Sequence, residues 1–273
     1  MHKNTQDSID INSQEVVSTF DEAPLWSVPF GQRLLDSIEL KKNQTVLDIG
    51  SGTGYPVLEL AQRLGSSSSV KAIDPWQEAI ARAEFKRNEY GIKNLEFILG
   101  EAEKMPFREN TFDLITSNNG INNTEDIAIT ISECHRVAKP GGLLIQTFNL
   151  PETMHEFYDI YKSVLADNGM AEYIEKVDDH IQLKRKPVEF MTRIMRENGF
   201  LTDHIEIDSF TYKFVDAEAM FAHYFIRLAF LDTWTGIIPV DKVDDIFSKI
   251  KNKMAESPLK LTIPFALIKS IKK

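Results

Sequence analysis

The sequence predicts an α/β fold in which a mostly parallel sheet is covered by helices, and three observations carry the prediction. Short apolar runs alternate with helical patterns along the chain, as right-handed crossovers between parallel strands require. The first of these runs passes straight into a glycine loop that opens a helix. The chain has 273 residues, 42% of them hydrophobic, enough for one large domain with a sizeable core.

Residues 1–19 are polar and without clear period, the pattern of a flexible terminus, so a single domain is expected over 20–273. The stretch from Phe20 to Gly31 concentrates aromatics and prolines, among them Trp26 and Phe30. A helix is expected over 32–40, where Leu34, Leu35 and Ile38 recur at helical spacing. Val46, Leu47 and Ile49 form a short run typical of a strand buried on both faces. Gly50, Gly52 and Gly54 then permit positive φ and close approach of backbone to ligand, and Pro56 suits a first helical position. Free amides at such a helix start favour an anionic group.

The spacing narrows the ligand. A dinucleotide fingerprint needs a third glycine at position 55, which is Tyr55, and no triphosphate-binding loop occurs. A second strand, Val70-Lys71-Ala72-Ile73, ends in Asp74, an acid placed to accept both hydroxyls of a ribose. A nucleoside with an acidic or zwitterionic tail fits this pair of features.

The elements continue in order. Asp74-Pro75-Trp76 is a turn, 78–90 a helix closed by Gly91, and 95–99 a third strand. At its end stand Gly100, Glu101, Ala102 and Glu103, where ligands of open α/β sheets gather; Glu103 reads as a solvated carboxylate. Strand 112–117 leads into Asn118-Asn119-Gly120-Ile121-Asn122-Asn123, a turn-forming loop. In the helix over 124–137, Ile127, Ile131 and Cys134 face inward, Cys134 as a small core residue and His135 on the surface. Lys139-Pro140-Gly141-Gly142 is a turn before strand 143–148, and Phe157, Tyr158, Tyr161 and Leu165 mark an amphipathic helix stopped by Asn168-Gly169. Residues 170–186 are charged and weakly periodic, 188–198 is a helix, and Ile205 to Phe214 alternate as a sixth strand with a bulge expected at Asp208-Ser209. The apolar segment 217–230 reads as core by default, with pocket wall or dimer face as alternatives, and His223 as a satisfied structural histidine; 240–254 is the last helix. Pro264, in the closing apolar run, demands an edge or bulge.

Net charge is −10, from 41 acidic and 31 basic residues, which argues against general affinity for nucleic acid or anionic membrane. A single cysteine, Cys134, excludes a disulfide framework and fits a reducing compartment. No apolar signal core and no membrane-length run is visible, so a cytoplasmic protein with no membrane span is expected. No metal site is expected.

Five marks in order carry a resemblance: Val46 to Gly54, Asp74, Gly100 to Phe107, Phe112-Asp113-Leu114-Ile115, and Arg136 to Leu144. On these the chain resembles the class I S-adenosylmethionine-dependent methyltransferases of small-molecule type, which act on quinones, sterols and similar metabolites, closely over 20–150 and loosely beyond. The resemblance implies a Rossmann-like three-layer sandwich whose seven-stranded sheet ends in an antiparallel strand, with lid segments 20–40 and 150–186. It implies S-adenosylmethionine held by Asp48, Gly50, Ser51, Gly52, Gly54, Asp74, Trp76, Glu101, Ala102 and Asn118. Glu101 would take the adenine amino group, where relatives more often carry aspartate, and the Ala102 amide the ring. Trp26, Asn119, His155 and Tyr158 are the substrate candidates. Relatives place a histidine or other base near the fourth strand tip, and this chain does not.

Methyl transfer from a sulfonium is an in-line displacement, and positioning alone supplies on the order of 7–11 kcal/mol. No general base is identifiable, so no catalytic residue is assigned. A metalloid acceptor would need more cysteines, and the tetrapeptide of nucleic-acid methylases is absent after the fourth strand. The expected function is methyl transfer to a small, partly apolar metabolite by a monomer or homodimer that takes no nucleic acid. A non-catalytic S-adenosylmethionine sensor or partner subunit is the alternative.

Overall fold

The chain builds a seven-stranded sheet in the order β3-β2-β1-β4-β5-β7-β6. The computed structural model describes residues 13–22, 26–255 and 259–273. At the centre are β1 (Thr45–Ile49) and β4 (Phe112–Asn118), flanked by β2 (Ser69–Asp74), β3 (Leu95–Leu99) and β5 (Ala138–Asn149), all five parallel. The long β7 (Leu259–Lys272) inserts antiparallel between β5 and the edge strand β6 (Phe200–Phe214). The order reverses between β1 and β4, so their carboxyl ends diverge and leave a crevice.

Helices cover both faces. On one side lie α2 (Ser27–Ser37), α3 (Val57–Leu64) and α4 (Gln77–Glu89), whose Leu34, Leu60 and Ala83 pack on Val46, Ala72 and Ile145. On the other, α5 (Ile127–Val137) and α8 (Val188–Glu197) bury Ile131, Cys134, Met191 and Met195 against Ile115 and Leu144. A third core is rich in aromatic rings. It joins α6 (His155–Asp167), α7 (Ile174–Lys184) and α12 (Val240–Lys253) to the far ends of β6 and β7, centred on the fully buried Phe157, Tyr161 and Trp234.

The structure differs from the sequence reading at identifiable places. Residues 14–19, expected to be part of a flexible terminus, belong to α1 (Gln14–Glu22), whose Val17 is fully buried; residues 1–12 and Ala23, Pro24 and Leu25 lie outside the described residues. Pro56 caps α3 rather than starting it. The Lys139-Pro140-Gly141-Gly142 turn is a bulge within β5: Ala138 pairs with Phe112 and Leu143 with Leu114, so the extra residues loop out. Residues 174–184 form α7, hidden in the sequence because Val177 is its one fully buried side chain.

The apolar segment 217–230 is not one continuous helix. Short helices α9 (Ala217–Ala222), α10 (Tyr224–Ile226) and α11 (Asp232–Thr235) are separated by an extended His223 and a π-turn over Arg227–Leu231. His223 packs edge-on against Phe214, and its buried Nδ1 has no partner among the described residues, contrary to the expected satisfied histidine. The β6 bulge is at Asp203, where Thr202 pairs with Ser270 and His204 with Lys269, not at Asp208-Ser209, where pairing runs on unbroken. An edge strand with both faces largely exposed has little burial pattern to fix its phase. Pro264 sits in an interior strand, just past the last β5–β7 pair, Asn149 with Phe265. Its carbonyl accepts from Leu150 N at 2.9 Å, and the N–H it lacks faces where the β5 ladder has ended.

Candidate active site

The crevice at the carboxyl ends of the parallel strands is a cavity of about 1090 Å³. Its floor is the glycine loop after β1. Gly50 (φ +76°) donates to Ile73 O at 2.9 Å, and a Cβ there would meet Gly120 Cα at 2.5 Å. A Cβ on Gly120 would meet Ile49 O at 2.2 Å. The two loop backbones are therefore pressed together, and Gly120, which the sequence reading took for a turn former, lines the cavity at that contact. Ser117 holds the contact: its hydroxyl donates to Ile49 O at 3.0 Å and accepts from Gly120 N and Ile121 N at 3.2 and 2.9 Å. Gly52 differs, because a Cβ there would meet nothing within 4 Å and the loop opens into the cavity at that point.

Asp74, at the tip of β2, lines the cavity with both carboxylate oxygens fixed, one accepting from Gly52 N and the other from Trp76 N, each at 2.8 Å. Burial raises its pKa, and the two amides oppose that rise. Asp48 is 1% exposed and does not line the cavity. Thr116 Oγ1 donates to it at 2.7 Å, and burial pushes its pKa up to about 7 despite that bond. Gly54 also stands back from the cavity, where an added Cβ would run into Leu58 and Ala83, so it serves helix packing. Gly50, Ser51, Gly52, Trp76, Glu101, Ala102 and Asn118 all line the cavity, and the buried Ser51 Oγ has no partner among the described residues.

At the β4 tip, Asn118 ties the start of α2 to the sheet, donating to Ser27 O at 3.2 Å and accepting from Thr147 Oγ1 at 2.9 Å. Asn119 (φ +56°) is held through Oδ1 by Asn149 N at 3.2 Å, which leaves its buried Nδ2 without a partner among the described residues. Glu103 is not a free surface acid: its Oε1 accepts from Glu125 N at 2.8 Å and Asp126 N at 3.3 Å, ahead of α5.

Of the substrate candidates, Trp26 and Asn119 line the cavity and the other two do not. Trp26 stands among rings, with Phe30, Phe225 and Phe230 at centroid distances of 5.4, 5.7 and 5.6 Å. His155 is exposed beside Glu156, and Tyr158 is buried within the third core. The sequence reading missed Asp21 and Lys86, which also line the cavity. Asp21, on α1, accepts from Arg82 Nε at 2.8 Å and Lys86 Nζ at 2.5 Å on α4. Burial pulls the Asp21 carboxyl upward, but these two cations outweigh it and hold the pKa below the ordinary value. No histidine lines the cavity among the described residues.

The comparisons agree with this architecture. The family model of the methyltransferase domain matches residues 40–193, more than half of the chain. A demethylmenaquinone methyltransferase of Lactococcus lactis is 32% identical over 155 residues, 57% of this chain and 58% of that one. The matched region thus spans under two thirds of that relative. The enzyme of that name in Staphylococcus aureus is 24% identical over 204 residues, 71% of this chain and 81% of that one. Among solved structures, a SAM-dependent methyltransferase of Aquifex aeolicus superposes with a TM-score of 0.57 at 18% identity, covering 95% of this chain and 98% of that one. A glycine loop over the β1 tip, an acid at the β2 tip, an antiparallel β7 and the family match together place this chain among the class I S-adenosylmethionine-dependent methyltransferases.

Proposed function

We propose that the chain transfers the methyl group of S-adenosylmethionine to a small, partly apolar metabolite. One observation carries the reading: Asp74 and the open face of Gly52 share a single cavity with the aromatic Trp26, so donor and apolar acceptor have adjoining room. In this reading Asp74 takes the ribose hydroxyls through lone pairs its two amide bonds leave free, and Glu101 and Ala102 meet the adenine. The unpartnered Ser51 Oγ and Asn119 Nδ2 are donors and acceptors for the amino-acid tail or the acceptor molecule. Asp48 and Gly54 act from behind the loop, one by its bond to Thr116 and the other by packing.

The step itself needs the acceptor atom in line with the methyl and close to it, which costs the protein only positioning. Without a histidine on the cavity wall, an acceptor that is already nucleophilic, such as an activated ring carbon or an ionised oxygen, suits the site best. The substrate named for those relatives, a demethylated menaquinone, supports an apolar ring as acceptor. Formation of S-adenosylhomocysteine from S-adenosylmethionine with a panel of quinols, phenols and thiols tests this. Turnover with one acceptor class supports it. Tight cofactor binding with no turnover across the panel would favour a non-catalytic sensor.

A further inference from the structure

Position 55, where a dinucleotide loop would carry glycine, holds a half-buried tyrosine that lines the cavity beside Trp26, Val28 and Asn118. The chain gives up helix stability to seat it. Gly31 lies inside α2, where alanine would favour the helix by about 1 kcal/mol. A Cβ there, however, would stand 2.4 Å from Tyr55 Cε1 and 3.2 Å from Asn118 Nδ2. The tyrosine ring and the Asn118 amide therefore meet at one point of α2, at the β4 tip. Topology relates that point to the cofactor. In the reading above, ribose and adenine occupy the tips of β2 and β3, on Asp74 and Glu101. Strand β1 lies between β2 and β4, so a cofactor anchored there reaches across the glycine loop toward β4, and its methyl end faces Tyr55 and Trp26.

The polar groups at this end of the cavity differ in what they have left to offer. Both ends of the Asn118 amide are engaged, by Ser27 O and Thr147 Oγ1. Lys86, the one cation on the cavity wall among the described residues, is held by Asp21. The Tyr55 hydroxyl donates to Val28 O at 3.4 Å, long for an O–H donor, and can turn to a nearer oxygen in the cavity. Burial raises its pKa, so at pH 7 it is a neutral phenol, a donor and not a base. We propose that Tyr55 binds the methyl acceptor by donating a hydrogen bond to a phenolate oxygen on it, with Trp26 against the apolar ring. Tyr55 gives up no proton in the step: it holds the oxygen whose charge makes the acceptor nucleophilic. This deepens the methyl-transfer reading and rests on it.

Binding to the full chain saturated with S-adenosylhomocysteine tests this without turnover. The probes are nitrophenols and nitronaphthols, with their methyl ethers as controls, titrated by calorimetry against the parent and Tyr55→Phe. At least one phenol should bind the parent, and Tyr55→Phe should weaken it by at least about tenfold, the loss expected for a hydrogen bond to a charged oxygen. The same variant should leave the affinity of the methyl ethers and of S-adenosylhomocysteine within about twofold, since the ring stays in place and only the donor is removed. Absorbance of the bound phenolate gives an independent readout: its pKa should be about one unit higher in Tyr55→Phe than in the parent, the counterpart of a tenfold loss confined to the ionised form. The proposal is overturned if no phenol binds, if Tyr55→Phe leaves phenol affinity within about twofold, or if phenols and ethers weaken alike, which would make Tyr55 a packing residue. Cofactor titration separates the two readings. Failure of S-adenosylmethionine and S-adenosylhomocysteine to bind the parent overturns both, whereas intact cofactor binding without a phenol response overturns the Tyr55 assignment alone.

Discussion

Gly52 and Gly120 respond differently to one added methyl group. At Gly52 (φ +49°) an alanine meets no atom within 4 Å, so its stability cost is the left-handed strain of about 1–2 kcal/mol, while its methyl intrudes into the cavity. Gly52→Ala is therefore expected to stay folded and to lose cofactor affinity in a calorimetric titration. Gly120→Ala puts a Cβ 2.2 Å from Ile49 O and must push β1 and β4 apart, costing at least about 1–3 kcal/mol and lowering Tm as well as affinity. Asp48 offers a test by pH. Its folded pKa of about 7 lies above its ordinary 3.8, so the folded state holds the extra proton and the associated stability is complete below that ordinary value and lost as pH rises through 7. Asp48→Asn is neutral throughout and still accepts from Thr116. Its Tm should gain on the parent between acid and mildly alkaline pH, by up to about 1.4 kcal/mol per pH unit in stability, and a Tm difference independent of pH would contradict the assignment.

At the level of whole elements, α1 is fastened over the cavity by Asp21, between Arg82 and Lys86 of α4, with Val17 as its buried anchor. Asp21→Ala should release α1, seen as faster proteolysis within Gln14–Glu22 at nearly unchanged Tm, with weaker cofactor binding. Equal proteolysis rates would show that α1 is held by other contacts. The same elements show what the sequence makes legible. Strands β1 and β4 were readable because burial on both faces leaves unbroken runs such as Val46-Leu47 and Leu114-Ile115, and the loops after β1 and β2 carry their own chemistry in Gly50 and Asp74. Helices α1 and α7 were not readable because, among the described residues, each shows one fully buried side chain, Val17 or Val177, in a largely polar segment. Tyr158 was misplaced for a related reason. Periodicity put it on the inner face of α6 correctly, but only the fold shows that this face meets Arg185 and Trp234 rather than the cavity.

For the molecule as a whole, the doubly wound sheet fixes the position of the site, and the site's polar groups fix the cofactor class. The ends of β1 to β4 meet at the crevice, and most of the cofactor residues assigned from the sequence line it, since motif residues sit at strand tips by construction. What lies above the crevice was not legible: the contact of Asn118 with Ser27, the capping role of Glu103 and the rings around Trp26 all join residues far apart in the chain. The most direct measurement is calorimetric titration of the purified protein with S-adenosylmethionine and, separately, with NAD. Saturable micromolar binding of S-adenosylmethionine, with none of NAD, is the expected result. Binding of NAD instead, or of neither, would contradict the assignment of the Gly50–Gly54 loop and Asp74 to a methyl-donor site.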